Sequence, residues 1–139
     1  MIKYIPEEYV EGVTDSILSN GYRISIKTST DMTSQLEIKD NSEATKEMYR
    51  HHVVKIEVQR DDREVLNESF DIKRLKQLVD IPKASVIRAA YLDEERSLFQ
   101  ENISIKLLMI QPETKKEFAY NMIIQKNGNF KIIKDNART

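Results

Sequence analysis

Imidazole chemistry, if this chain performs any, must use His51 and His52, its only two histidines. They sit at the head of HHVVKIEV, whose alternation predicts a strand, and neighbouring residues on a strand project to opposite faces. Two rings pointing apart do not share a metal ion, and neither lies in an H-x-x-x-H or carboxylate-flanked spacing, so exposed strand-end histidines are expected rather than zinc ligands. Asp93, Glu94 and Glu95, read as an acidic loop, and the earlier pair Asp61 and Asp62 could supply paired carboxylates for acid–base work or calcium binding. Neither run fits D-x-[DN]-x-[DN]-G, and the expectation is solvated turns. His51, His52, Asp93, Glu94 and Glu95 are therefore the candidate site residues, with no catalytic role assigned to any of them.

Other chemistries find less to work with. No serine lies in a G-x-S-x-G elbow. The absence of cysteine excludes disulfides, thiol catalysis and thiolate metal sites, and three glycines in the whole chain leave no glycine-rich phosphate cradle. The densest basic segment, Lys73, Arg74, Lys76, Lys83 and Arg88, could meet phosphate, but it has no interleaved aromatics. The 22 basic and 23 acidic residues are mixed along the chain for a net charge of -1, so no field draws in nucleic acid. No cofactor, metal or nucleic-acid partner is expected. The triplets NES at Asn67 and NIS at Asn102 match the glycosylation sequon but fall within expected strands.

The elements that would position these residues are mostly strands. YRISIKTST (Tyr22 to Thr30) alternates, with Tyr22, Ile24 and Ile26 on one face. Val54, Ile56 and Val58 do the same in the next strand, which turns at Asp61 and Asp62 into a return strand from Glu64 to Phe70. Asp71 stands where an N-cap belongs, and Ile72, Leu75, Leu78 and Val79 follow at helical spacing in a short helix that ends before Pro82. Val86 onward reads as a strand running into the acidic loop. Asn102 to Ile110 and Glu117 to Gln125 are strands joined by the polar turn QPETKK. The first twenty residues are ambiguous and read as a flexible segment, and residues 31 to 48 read as a polar connection with at most a helical turn.

IIQKNGNFKII, at the C-terminal end, admits two hairpin registers. A two-residue Asn127-Gly128 turn scatters apolar side chains over both faces. A three-residue loop of Lys126, Asn127 and Gly128, with Gly128 left-handed, pairs Ile124 with Phe130 and Met122 with Ile132. One buried face is what sets register, so the second is expected. Phe118, Tyr120, Met122, Ile124, Phe130 and Ile132 then form a core face. The other face, with Asn121, Ile123 and Ile133, needs partial cover from a loop or the helix.

At 139 residues and 40% hydrophobic content the chain suits one domain over 1–139. The expected fold is α+β: a mostly antiparallel sheet of six to seven strands with one short central helix. No stretch is long and apolar enough to span a membrane, and MIKYIPEEYVEG lacks the basic start and apolar run of an export signal.

DSILSNGYRISIKT, VIRAAYLDEERS and IQKNGNFKI together resemble an uncharacterised family of small lipoproteins from Bacteroides-type bacteria. The resemblance lies in overall layout and implies an exported, lipid-anchored domain, with no catalytic residues to carry over. It requires a leader and a lipid-bearing cysteine upstream of Met1. The leading functional reading is thus a non-enzymatic binding or structural domain of the cell envelope, whose partner is another protein or an envelope component. The alternative is a cytoplasmic interaction protein of inhibitor or immunity type. The third reading is a hydrolase-type enzyme that joins the acidic loop to His51 or His52, and it requires those groups to meet in one cleft.

Overall fold

A computed structural model describes residues 2–38, 46–99 and 102–135. Among them run nine strands: β1 (Ile2–Ile5), β2 (Glu11–Ile17), β3 (Tyr22–Ile38), β4 (Lys46–Arg60), β5 (Arg63–Phe70), β6 (Val86–Leu92), β7 (Ile103–Gln111), β8 (Lys116–Ile124) and β9 (Phe130–Lys134). Two short helices interrupt them, α1 (Ile72–Leu78) and α2 (Glu94–Phe99). The strands form two sheets. Sheet A follows the order β1-β4-β3-β2, with β5 beside β1 on the same edge of β4, and sheet B follows β6-β7-β8-β9.

The architecture is therefore all-β, and the α+β expectation is corrected. Helices of seven and six residues make no layer of their own, and the strands exceed the six or seven expected. Two segments account for the difference. The ambiguous first twenty residues carry β1, parallel to β4, and β2, antiparallel to β3. The polar stretch from residue 31 is strand wherever it is described, because β3 continues to Ile38 and β4 begins at Lys46; residues 39–45 of that stretch lie outside the described residues. Its pairing breaks at a wide irregularity between Thr30 and Gln35, then resumes from Gln35 opposite Arg50 to Ile38 opposite Glu47. Ladder hydrogen bonds hold this extension, so it needs little apolar side chain, and apolar alternation was the signal that sequence reading required.

The two sheets share one core. Ile24, Ile26, Val54, Ile56 and Val58 of sheet A meet Ile105, Leu107, Met109, Tyr120 and Met122 of sheet B. Phe70, at the end of β5, stands edge-on to Phe130 of β9 with ring centroids 5.5 Å apart. α1 caps an end of sheet A: Asp71 accepts a 2.8 Å hydrogen bond from the Arg74 N–H as N-cap, and Ile72 and Leu75 are buried.

The C-terminal hairpin adopts the three-residue loop. Ile124 pairs with Phe130 and Met122 with Ile132, Gln125 N–H donates to the Asn129 carbonyl at 2.8 Å, and Gly128 has φ +89°. Cover for the outer face of sheet B comes from α2 rather than the central helix. Ser97 is fully buried there, and its hydroxyl accepts from the Ser104 N–H at 2.9 Å.

Candidate functional site

β2 is the last strand of sheet A, and no described strand pairs with its far side. Its seven residues match β3 without a bulge, from Glu11 opposite Ser29 to Ile17 opposite Arg23. The hydrogen-bond phase can be followed from its flanks. The Val10 carbonyl accepts from Thr30 N–H at 3.0 Å, and Leu18 N–H donates to the Tyr22 carbonyl at 2.8 Å. Even-numbered residues thus turn their backbone groups toward β3, and Glu11, Val13, Asp15 and Ile17 turn theirs outward. The result is a row of backbone donors and acceptors along an edge that no described strand covers.

The side chains of that row are apolar and acidic by turns. Tyr9, Val13 and Ile17 are three of the nine large hydrophobic residues exposed among the described residues, Ile17 at 77% and Val13 at 60%. The acids are tied down along the sheet surface rather than across the edge. Tyr9 hydroxyl donates to Glu11 at 2.7 Å, Lys27 stands 3.3 Å from the same carboxylate, and Arg23 holds Asp15 at 2.8 Å. The Tyr9 hydrogen bond first, and Lys27 second, lower the pKa of Glu11, while the Arg23 hydrogen bond lowers that of Asp15. Natural edge strands are commonly guarded by charged side chains, proline or a bulge; β2 has no lysine, proline or bulge, and its two acids are held by Tyr9, Lys27 and Arg23.

The histidines fall elsewhere, near the irregularity in the β3–β4 pairing. His52 lies opposite Thr30, half-buried, with Nδ1 3.1 Å from the Ile87 carbonyl of β6. A carbonyl only accepts, so Nδ1 carries the proton. Burial lowers the pKa of both rings; Lys76 adds to the effect at His51, which Asp31 opposes. His51 Nδ1 is enclosed with no hydrogen-bond partner among the described residues. These rings are partly packed inside, not the exposed strand-end groups expected.

Asp93, Glu94 and Glu95 form the first turn of a helix rather than an acidic loop. Asp93 accepts from the Arg96 N–H at 3.0 Å, and its carbonyl accepts from Ser97 N–H, which is the work of an N-cap. Glu94 and Glu95 are exposed. Asp93 follows β6, whose other end holds the Ile87 carbonyl bonded to His52, and the five β6 residues between Ile87 and Asp93 set the two apart by roughly 20 Å. The structure does not bring the two sets of candidates together. Asp61 and Asp62 make the β4–β5 turn at φ 51° and 64°. Among the described residues no group of three or more His, Cys, Asp or Glu could hold a metal ion, and no helix is long and apolar enough to cross a membrane.

A shallow cleft on sheet B is lined by Tyr91, Lys106, Leu108, Lys116, Phe118 and Lys134, among others. The acids on its wall are already engaged, Glu117 with Arg88 and Asp135 with Lys106 at 3.0 Å.

The β2 edge was missed in the sequence because Pro6, Glu7 and Glu8 suggest a helix start and Gly12 masks the alternation. No apolar stripe marks it, because the odd-numbered Tyr9, Glu11, Val13, Asp15 and Ile17 mix apolar and acidic side chains. No protein-family model matches this chain, and no curated protein matches it.

Proposed function

We propose that this chain is a non-enzymatic binding domain of the bacterial cell envelope that takes up an extended protein segment along β2. One observation carries the binding part: Glu11, Val13, Asp15 and Ile17 present backbone groups that no described strand pairs, on a regular, bulge-free edge. A strand added there gains main-chain hydrogen bonds along its length, while Tyr9, Val13 and Ile17 offer apolar contacts on alternate positions. The distance between His52 and Asp93 supports the non-enzymatic part, because acid–base groups must reach one reacting centre to act together. The envelope setting draws its support from the lipoprotein resemblance.

A photo-cross-linking residue in place of Val13, introduced into the full reading frame in the cells that make the protein, tests both parts. Protein adducts recovered in the envelope fraction, and absent when the same group replaces Glu94 on α2, are the expected result. Equal labelling at the two positions would overturn the edge reading. Adducts confined to the cytosol would move the domain inside the cell.

A further inference from the structure

The β2 edge is complementary to itself, and the geometry points to a second copy of this chain as its occupant, paired antiparallel about a two-fold axis at Val13. This deepens the edge reading above and rests on it. The odd-numbered row Tyr9, Glu11, Val13, Asp15, Ile17 is symmetric in character about its centre: apolar, acidic, apolar, acidic, apolar. In an antiparallel pair centred on Val13, Val13 meets Val13 of the second copy, Tyr9 meets Ile17 and Glu11 meets Asp15. Glu11, Val13, Asp15 and Ile17 have their N–H and C=O aimed outward, as the bonds of Val10 and Leu18 to β3 establish, so the Val13 pair and both Glu11–Asp15 pairs are of the type that exchanges both hydrogen bonds. Such an interface is isologous, and it closes after two copies.

Neighbouring registers do worse. A shift of two residues in one direction sets Val13 against Glu11 and Tyr9 against Asp15, and a shift in the other sets Val13 against Asp15 and Ile17 against Glu11. Either shift leaves one outward residue without a partner. The centred register does oppose Glu11 to Asp15, and like charges directly opposite are unfavourable. Each of these carboxylates already holds a cation on its own subunit, Lys27 at 3.3 Å and Arg23 at 2.8 Å, so each meeting point gathers two acids and two bases with no net charge. Val13 and Ile17 are exposed in the single chain. The joined sheet would run β4-β3-β2 into β2-β3-β4 of the second copy.

The absence of native cysteine allows a register-specific test on the full chain. Val13→Cys places two thiols at the two-fold, where opposed Cα atoms are about 5.5 Å apart and within disulfide reach. Asp15→Cys places them four strand positions apart, roughly 13 Å, and out of reach. Mild oxidation is expected to give a covalent dimer from Val13→Cys and none from Asp15→Cys. Sedimentation equilibrium of the unmodified chain is expected to show dimer increasing with concentration, and Val13→Lys, which sets two ammonium groups together, to weaken it by roughly tenfold or more. A chain that stays monomeric up to about 1 mM, or a dimer indifferent to Val13→Lys, would overturn self-pairing. Val13 cross-links to a different protein alongside a monomeric chain would overturn it too, while leaving the edge reading intact.

Discussion

His52 of β4 and Ile87 of β6 are joined by a 3.1 Å contact from Nδ1 to the carbonyl oxygen, a side-chain tie between the two sheets. The bond needs the proton on Nδ1 and leaves Nε2 to take up the second proton on acidification, which burial resists.

Acidification should therefore destabilise the protein through the histidines before it reaches the carboxylates. Both His51 and His52 have pKa values lowered by burial from the usual value of about 6.5. The unfolded chain then binds more protons than the folded one as pH falls through the unfolded value toward the folded one, and stability drops over that interval. Melting temperatures between pH 7.5 and 5 should fall, and the fall should shrink in a His51→Gln, His52→Gln double variant. Glu11, Asp15 and Asp31 have lowered pKa values, so their contribution is lost only at lower pH, as it falls through the folded values.

Gly128→Ala should be destabilising out of proportion to one methyl group. A Cβ at this position would stand 2.5 Å from the Val65 carbonyl oxygen of β5, on a residue held at φ +89°. The left-handed backbone alone costs a non-glycine residue about 1–3 kcal/mol, and the clash forces the C-terminal hairpin away from sheet A. Urea unfolding should show a lower midpoint with little change in slope.

Phe70→Ala should be among the costliest single changes, at about 3–5 kcal/mol. The ring is fully buried, meets Phe130 edge-on and carries the Arg74 guanidinium 4.6 Å over its face. Phe70→Leu, which refills part of the space, should recover some of the loss in the same unfolding measurement.

Hydrogen exchange should read the phase of the open edge directly. Amides of Gly12, Thr14 and Ser16 face β3 and should be protected, while those of Glu11, Val13, Asp15 and Ile17 should exchange quickly in the dilute single chain. An unbroken block of protection across 11–17 at low concentration would contradict the outward row. Val13→Lys, at an exposed position, should change monomer stability by no more than about 0.5 kcal/mol.

Much of this protein was legible without coordinates wherever neighbours in sequence are also neighbours in space. The alternation of Tyr22, Ile24 and Ile26 and of Val54, Ile56 and Val58 marked their strands and buried faces. Asp71 announced its helix, and the placing of Phe130 and Ile132 after Gly128 was enough to choose the three-residue loop, because a hairpin register depends on a turn and two short flanks. Where polar residues make up the strand, as in β2 and beyond Thr30 in β3, no apolar stripe reports it, and the α+β expectation followed from that silence.

Tertiary structure alone decided the rest. A period of two says which residues share a face but not which strand lies beside which, so nothing local could separate the strands into two sheets or leave β2 at an edge. The same limit hid the packing of His52 against Ile87, 35 residues away, and the roughly 20 Å that keeps Asp93 from it. Those placements follow from burying the inner faces of two sheets against each other, a requirement that the whole chain meets at once and that no single segment expresses.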